Sequence, residues 1–214
     1  ALIVSFTGCQ KNKNQATLKG EIEGLQQDTI EIQHLSNYMP DNSSVKKIKA
    51  DENNRFSTNL SVSELSVYDV KLMPGKSIPV LLKPGWEVTI HSTAASEKGL
   101  DTLYFTGEGG TENEIYTDYQ DLSSKGHEHI RKNPKQFIHT LDSLEQEMKS
   151  LIQESESTLD KDFKQMLKTD IYYNKSLLWN SYTRYAKYHN KNLDTSFVRK
   201  FDRELKSNID LNNP

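Results

Sequence analysis

Histidine is the commonest metal-binding side chain, and the chain places three in one region: His127-Glu128-His129, with His139 further on. A structural zinc site wants four ligands in matched geometry. On a strand, His-x-His would turn both rings to one face. Here the segment lies between two predicted helices, beside Arg131, Lys132 and Asn133-Pro134, and reads as a solvated loop. No metal and no cofactor are expected. Gly107-Glu108-Gly109-Gly110 precedes a predicted helix start, and such a loop can hold an anion on free backbone donors. Glu108, Glu112 and Glu114 would repel a phosphate, and no Lys or Ser/Thr pair completes a phosphate-binding loop. The loop reads as a flexible hinge between strands and helices. Trp86, after Pro84-Gly85, alternates with Val88 and Ile90, which favours a core position over a ligand platform. No Ser-His-Asp order, paired-carboxylate motif or dinucleotide loop stands out, so no catalytic residue is expected. The Asp and Glu residues are spread along helix faces, where solvation is their ordinary role.

One stretch is both basic and aromatic. Lys168 to Lys206 holds nine Lys/Arg against four Asp/Glu, interleaved with Tyr172, Tyr173, Trp179, Tyr182, Tyr185 and Tyr188. Such a mixture can stack single-stranded nucleic acid. The tyrosines also recur at helical spacing, which packs part of the set against neighbouring helices. Tyr, Trp and Arg are enriched at protein interfaces, so Tyr172, Tyr173, Trp179, Tyr185 and Tyr188 form the candidate partner surface. Interface and bundle packing stand as equal readings for it.

Composition narrows the classes. Of 214 residues, 34% are hydrophobic and 27% charged, and mean hydropathy is -0.76. A multi-span membrane protein, which needs apolar runs of roughly 20 residues, is excluded. A disulfide-stapled miniprotein is excluded by the single cysteine. The charge balance, 27 basic against 30 acidic residues, lacks the basic excess of a dedicated nucleic-acid binder, and no nucleic-acid partner is expected.

The elements follow from periodicity. Across residues 16–106, period-two alternation marks short strands: Leu18–Ile22, Thr29–Gln33, Val45–Ala50, Arg55–Leu60, then Tyr68/Val70/Leu72, Ile78/Val80/Leu82, Trp86/Val88/Ile90 and Leu103–Phe105. One buried and one wet face per strand is the mark of antiparallel sheets. Asp-Asn, Pro-Gly and Asn-Asn turns between them suggest a sandwich or open barrel. Residues 111–210 read as helical. Thr111 and Glu114 fit a capping box, and Asn133-Pro134 a cap followed by proline. Phe137, Leu141, Leu144, Met148 and Leu151 form one stripe. A third helix begins near Ser157, with Leu159, Phe163, Leu167, Ile171, Leu178, Tyr182 and Tyr185 as its stripe. A fourth starts at Asp194-Thr195-Ser196 and carries Phe197, Phe201, Leu205 and Ile209. Strands first and helices after, without alternation, define a segregated α+β class: an antiparallel β-sandwich, then an all-helical region of about four helices. No internal repeat or low-complexity tract is seen.

The N-terminal run Ala1–Gly8, followed by Cys9 and the polar Gln10–Gln15, resembles the tail of a secretory signal peptide. Phe6-Thr7-Gly8-Cys9 resembles a bacterial lipobox, with Phe6 where Leu, Val or Ile is usual. In such proteins cleavage precedes the cysteine, which is then acylated. The resemblance implies lipid on Cys9, a membrane as partner, and a cell-envelope location, periplasm-facing or on the outer membrane. The charged start of a signal is not in the sequence, so the chain is expected to begin inside a longer precursor.

Three landmarks carry a wider resemblance: Leu18-Lys19-Gly20-Glu21-Ile22-Glu23-Gly24-Leu25, Leu82-Lys83-Pro84-Gly85-Trp86-Glu87-Val88-Thr89-Ile90, and Phe105-Thr106-Gly107 leading to Asn113 and Tyr116. The chain resembles the N-terminal sandwich of envelope lipoproteins that end in a TlpA/ResA-like thioredoxin domain. Residues 16–120 carry the likeness by motif, and the helices by order alone. It implies a tether over 1–15, a sandwich over 16–110, and a helical domain over 111–214 leading to a thioredoxin-like domain beyond Pro214. The family's redox chemistry needs a Cys-x-x-Cys pair. With Cys9 alone, this stretch cannot perform it. Its implied role is that of a non-catalytic accessory region of a thiol–disulfide oxidoreductase. A stand-alone envelope lipoprotein that binds a partner or ligand is the alternative.

Overall fold

The computed structural model describes residues 14–25, 28–36, 39–40, 45–73, 75–93, 102–155, 157–189, 198–199 and 203. Nine strands precede three helices among them: β1 (Gln15–Glu23), β2 (Thr29–Ser36), β3 (Met39–Pro40), β4 (Lys46–Lys49), β5 (Arg55–Ser61), β6 (Ser66–Met73), β7 (Lys76–Leu82), β8 (Glu87–Thr93), β9 (Thr102–Gly107), α1 (Gly110–Glu128), α2 (Pro134–Glu154) and α3 (Lys161–Tyr188). The class is α+β, with strands first and helices after. The chain divides into two compact units, one ending at Thr117 and the other starting at Asp118. The boundary falls within α1. Gln15, the last residue of the expected tether, already pairs in β1, while residues 1–13, Cys9 among them, lie outside the described residues. So does most of the expected fourth helix, of which Val198, Arg199 and Arg203 are helical. Among the described residues no helix is long and apolar enough to cross a membrane.

The first unit is a β-sandwich. One sheet has the order β5-β1-β8-β9, and the other β3-β2-β6-β7 with β4 also on β2. Pairing is antiparallel except for β1 with β8. A parallel neighbour needs a crossover rather than a hairpin, and here the whole second sheet lies in sequence between the two strands. Alternation decides which side chains meet. Leu18 and Ile22, Ile30 and Ile32, Val70 and Leu72, Val80 and Leu82, and Val88 and Ile90 are all buried in one cluster. Gly20 sits directly opposite Phe56, and a β-carbon there would stand 2.1 Å from the Phe56 ring. The ring fills the space that a side chain on Gly20 would take.

The first turn of α1 is fastened to the sandwich. β7 is a terminal strand of its sheet, and the backbone of Leu81 is met by the carboxamide of Asn113. Asn113 Oδ1 accepts from Leu81 N–H at 2.7 Å, and Nδ2 donates to Leu81 O at 3.0 Å and to Gly109 O at 2.8 Å. Asn113 is 1% exposed. The preceding loop is packed rather than free. Gly107 and Gly109 have φ of 91° and 90°, a region that favours glycine. A β-carbon on Gly107 would stand 2.1 Å from Glu87 O, and one on Gly109 2.2 Å from the Trp86 ring. The flexible hinge expected for this loop is therefore a close-packed corner. Trp86 is partly buried against the sandwich core, as its alternation suggested.

Helix starts in the second unit follow side-chain chemistry. Asn133 caps α2, accepting from Gln136 N–H at 3.0 Å, with Pro134 next. Asp160 caps α3 through the N–H groups of Asp162 and Phe163. The capping box expected at Thr111 does not start α1: the helix begins at Gly110, which places Thr111 inside its first turn. Ile152, at 3% exposure, takes the buried place expected of Leu151. Ser157 precedes α3, which starts at Lys161. Phe137, Leu141, Leu178, Trp179, Tyr182 and Ala186 form the core between α2 and α3. Tyr182 stacks on Phe137 at 4.1 Å between ring centroids and on Trp179 at 6.0 Å. Gly126 brings α1 close: a β-carbon there would stand 2.4 Å from Leu178 Cδ1.

Removing the carboxamide orphans the Leu81 N–H and C=O in a buried place. Asn113→Ala is expected to cost about 2–3 kcal/mol, measured by urea unfolding. Asn113→Asp keeps an acceptor for Leu81 N–H but turns a carboxylate towards two carbonyls, and should destabilise at least as much.

Candidate functional site

The outward face of the first sheet carries an open groove of about 650 Å³, lined in part by Lys19, Glu21, Arg55, Ser57, His91 and Thr106. Register builds it. Arg55 pairs with Glu21, Glu21 with His91, and His91 with Tyr104, so these four stand in line across the four strands. Ser57, Lys19, Thr89 and Thr106 form the next row. The Lys49-Ala50-Asp51 segment walls one side. Its turn is fixed by the Asp51 carboxylate, which accepts from Asn53 N–H at 2.9 Å and Arg55 N–H at 2.8 Å.

His91 is the best-held member. Its Nδ1 lies 3.4 Å from Glu21 Oε2, and its Nε2 lies 2.9 Å from Thr106 Oγ1. Its ring lies flat on Tyr104, with centroids 4.6 Å apart and planes 8° off parallel. Arg55 Nε stands 3.6 Å from the other Glu21 oxygen. Lys19 bonds Glu87 beside them. Carboxylate, imidazole and hydroxyl thus stand in sequence, an order that can orient a histidine tautomer. Glu21 is half exposed, at 48%, and a charge pair in that setting positions more than it stabilises.

The sequence-proposed partner surface divides. Tyr173 (59% exposed) and Tyr188 (84%) are open to solvent, together with Leu177 (57%). Their spacing of four and eleven residues puts all three on one side of α3. Tyr172 and Tyr185 are half-buried; Tyr172 packs edge-on against Tyr173, and Tyr185 lies tilted against His189. Trp179 is 1% exposed, so it belongs to the core and not to the surface. It follows the core residue Leu178 directly, and the apolar stripe is wide enough to take both. His127 and His139 are exposed and His129 is half-buried, with His127 in the last turn of α1 rather than in a loop. Among the described residues no three His, Cys, Asp or Glu side chains are grouped to hold a metal.

Lys175 of the basic stretch is tied up in ion pairs. Its Nζ lies 2.6 Å from Glu145 Oε2 and 3.0 Å from Asp142 Oδ1, and Lys149 takes the other Glu145 oxygen at 2.6 Å. Burial alone would raise the Glu145 carboxyl, but hydrogen bonds and charge from Lys149 and Lys175 outweigh it and hold the group below 4.5. Burial likewise opposes the Lys175 charge, and Glu145 and Asp142 outweigh it, raising the ammonium above 10.5.

No protein-family model matches the chain, and no curated protein matches it significantly. Among solved structures, a "putative cell adhesion protein" from Bacteroides ovatus is similar at 10% identity over 44% of this chain and 42% of its own length, with a TM-score of 0.26. The chain therefore spans less than half of that protein, and a likeness of this size carries no argument about role.

A carboxyl whose folded value is depressed contributes stability above its unfolded value and loses it as pH falls through the folded one. Glu145 should thus support the helical unit at neutral pH and fail it on acidification below 4.5. Lys175→Met is expected to cost about 1–2 kcal/mol at pH 7 and to flatten that acid slope. Urea midpoints measured from pH 7 down to pH 3 read both.

Proposed function

We propose that this chain is the non-catalytic N-terminal accessory region of a lipid-anchored, cell-envelope thiol–disulfide oxidoreductase, tethered through Cys9 and holding a downstream thioredoxin-like domain. The observation that carries this reading is the open Tyr173–Leu177–Tyr188 stripe on α3. Large apolar side chains lined up in solvent suit a docking surface. The single cysteine supports a division of labour, because dithiol exchange needs a second thiol from elsewhere. The lipobox-like Phe6-Thr7-Gly8-Cys9 supports the anchor. A stand-alone envelope lipoprotein that binds a partner or ligand is the second reading, and the groove on the first sheet favours it.

Metabolic labelling with an alkyne fatty acid tests the anchor. Label and membrane fractionation are expected in the wild type and lost in Cys9→Ala. A photo-crosslinker at position 188, placed in the intact reading frame, tests the docking surface. Crosslinks to a thioredoxin-like domain of the same polypeptide are expected. Crosslinks to another envelope protein alone would select the second reading.

A further inference from the structure

The groove on the outward face of the first sheet has the makings of a ligand site, under either reading above. It is open to solvent, and its volume of about 650 Å³ lies within the roughly 300–1,000 Å³ that small-ligand sites occupy.

Three properties narrow the ligand. The groove carries both signs: Lys19, Lys49 and Arg55 line it with Glu21 and Asp51, and Arg55 and Lys19 are already paired, with Glu21 and with Glu87. A polyanion would meet Glu21 and Asp51 as well as the cations, and a cation would meet Arg55. Donors and acceptors are also interspersed. Ser57, Thr89 and Thr106 each both give and accept, while a paired carboxylate keeps lone pairs and a paired guanidinium keeps N–H groups. That mixture suits a ligand whose own groups are hydroxyls. Finally, the row is held in advance. His91 is engaged at both nitrogens and stacked on Tyr104, so little side-chain freedom is lost on binding. From β5 to β9 the row crosses three strand steps of about 4.8 Å, roughly 14 Å in all, the length of two to three pyranose rings.

We propose that this face binds a neutral oligosaccharide laid across the strands, with Arg55 and Glu21 bonding its hydroxyls and His91, held by Thr106 and Tyr104, positioning Glu21. The test is a glycan array of neutral and acidic oligosaccharides probed with the 214-residue chain, followed by calorimetric titration of neutral trisaccharides and longer hits. Binding of neutral glycans is expected, weakened at least tenfold by His91→Ala and by Arg55→Ala. Lys71→Ala, on the other sheet, should leave it unchanged. Tyr104→Phe keeps the ring stack and should keep binding, whereas Tyr104→Ser should lose it, a contrast that a merely structural role would not give at equal melting temperature. Should an alanine variant fail to fold, nitrogen-15 shifts of the His91 ring during titration of the wild type give the same answer. Array binding confined to acidic glycans, absence of any neutral hit, or unmoved His91 resonances would overturn the proposal.

Discussion

The backbone N–H and C=O of Leu81 face away from β6, its strand partner among the described residues, and one side chain, that of Asn113, satisfies both. A terminal strand that leaves these groups bare is a template for further pairing. A buried one leaves them unsatisfied at a cost comparable to a lost hydrogen bond. The carboxamide presents an acceptor and a donor at the spacing of a peptide unit, so it can stand in for the next strand without extending the sheet. The same side chain binds Gly109 O and so fixes where the strands stop and the helix starts. The rest of the corner follows from that closeness. Gly109 lies under Trp86 and Gly107 against Glu87 O, where no β-carbon fits. Trp86 enters β8, whose outward residues build the groove.

The polar face of the first sheet exists because of strand order. Residues 21, 55, 91 and 104 are far apart in sequence, and only the order β5-β1-β8-β9 aligns them. The parallel pairing of β1 with β8 sets Glu21 beside His91. A shift of that register by one residue would turn His91 inward and Ile90 to water. The buried cluster of Ile90, Val88 and Leu18 therefore fixes the geometry of the outer row as well as the core.

This distinction marks what could be read from the sequence. Each strand with clean alternation was legible, because burial on one face imposes the period directly. Leu81 was not: it is fully buried out of phase with Ile78, Val80 and Leu82, and its environment comes from elsewhere in the chain. Two-residue β3 carries too little pattern to be seen. The helix signals at Asn133-Pro134 were legible because capping is local. Thr111 misled for the opposite reason. The start of α1 is set by the Gly109 corner, and Asn113, four residues on, bonds the strand backbone at Leu81 as well as Gly109 O. The groove left no local signal, since its spacing in sequence has no period at all. The α3 stripe was half legible. Helical spacing put Tyr182 in the buried stripe, where it lies, but it did not tell that Trp179 turns inward while Tyr173 and Tyr188 turn out.

The two surfaces differ in how far they can change without harm to the fold. On a strand, successive side chains point to opposite faces, so Glu21 and His91 touch their own row while Ile22 and Ile90 serve the core. Recognition on that sheet can be altered residue by residue at little cost in stability. On α3 the period of 3.6 places Tyr185 one step from the buried Ala186 and three from Tyr182, and half-buried residues share their packing with both sides. A substitution at Tyr172 or Tyr185 would therefore disturb the helix core together with any docking. The more exposed Tyr173, Leu177 and Tyr188 separate the two effects: loss of docking at these positions with an unchanged melting temperature would belong to the surface alone.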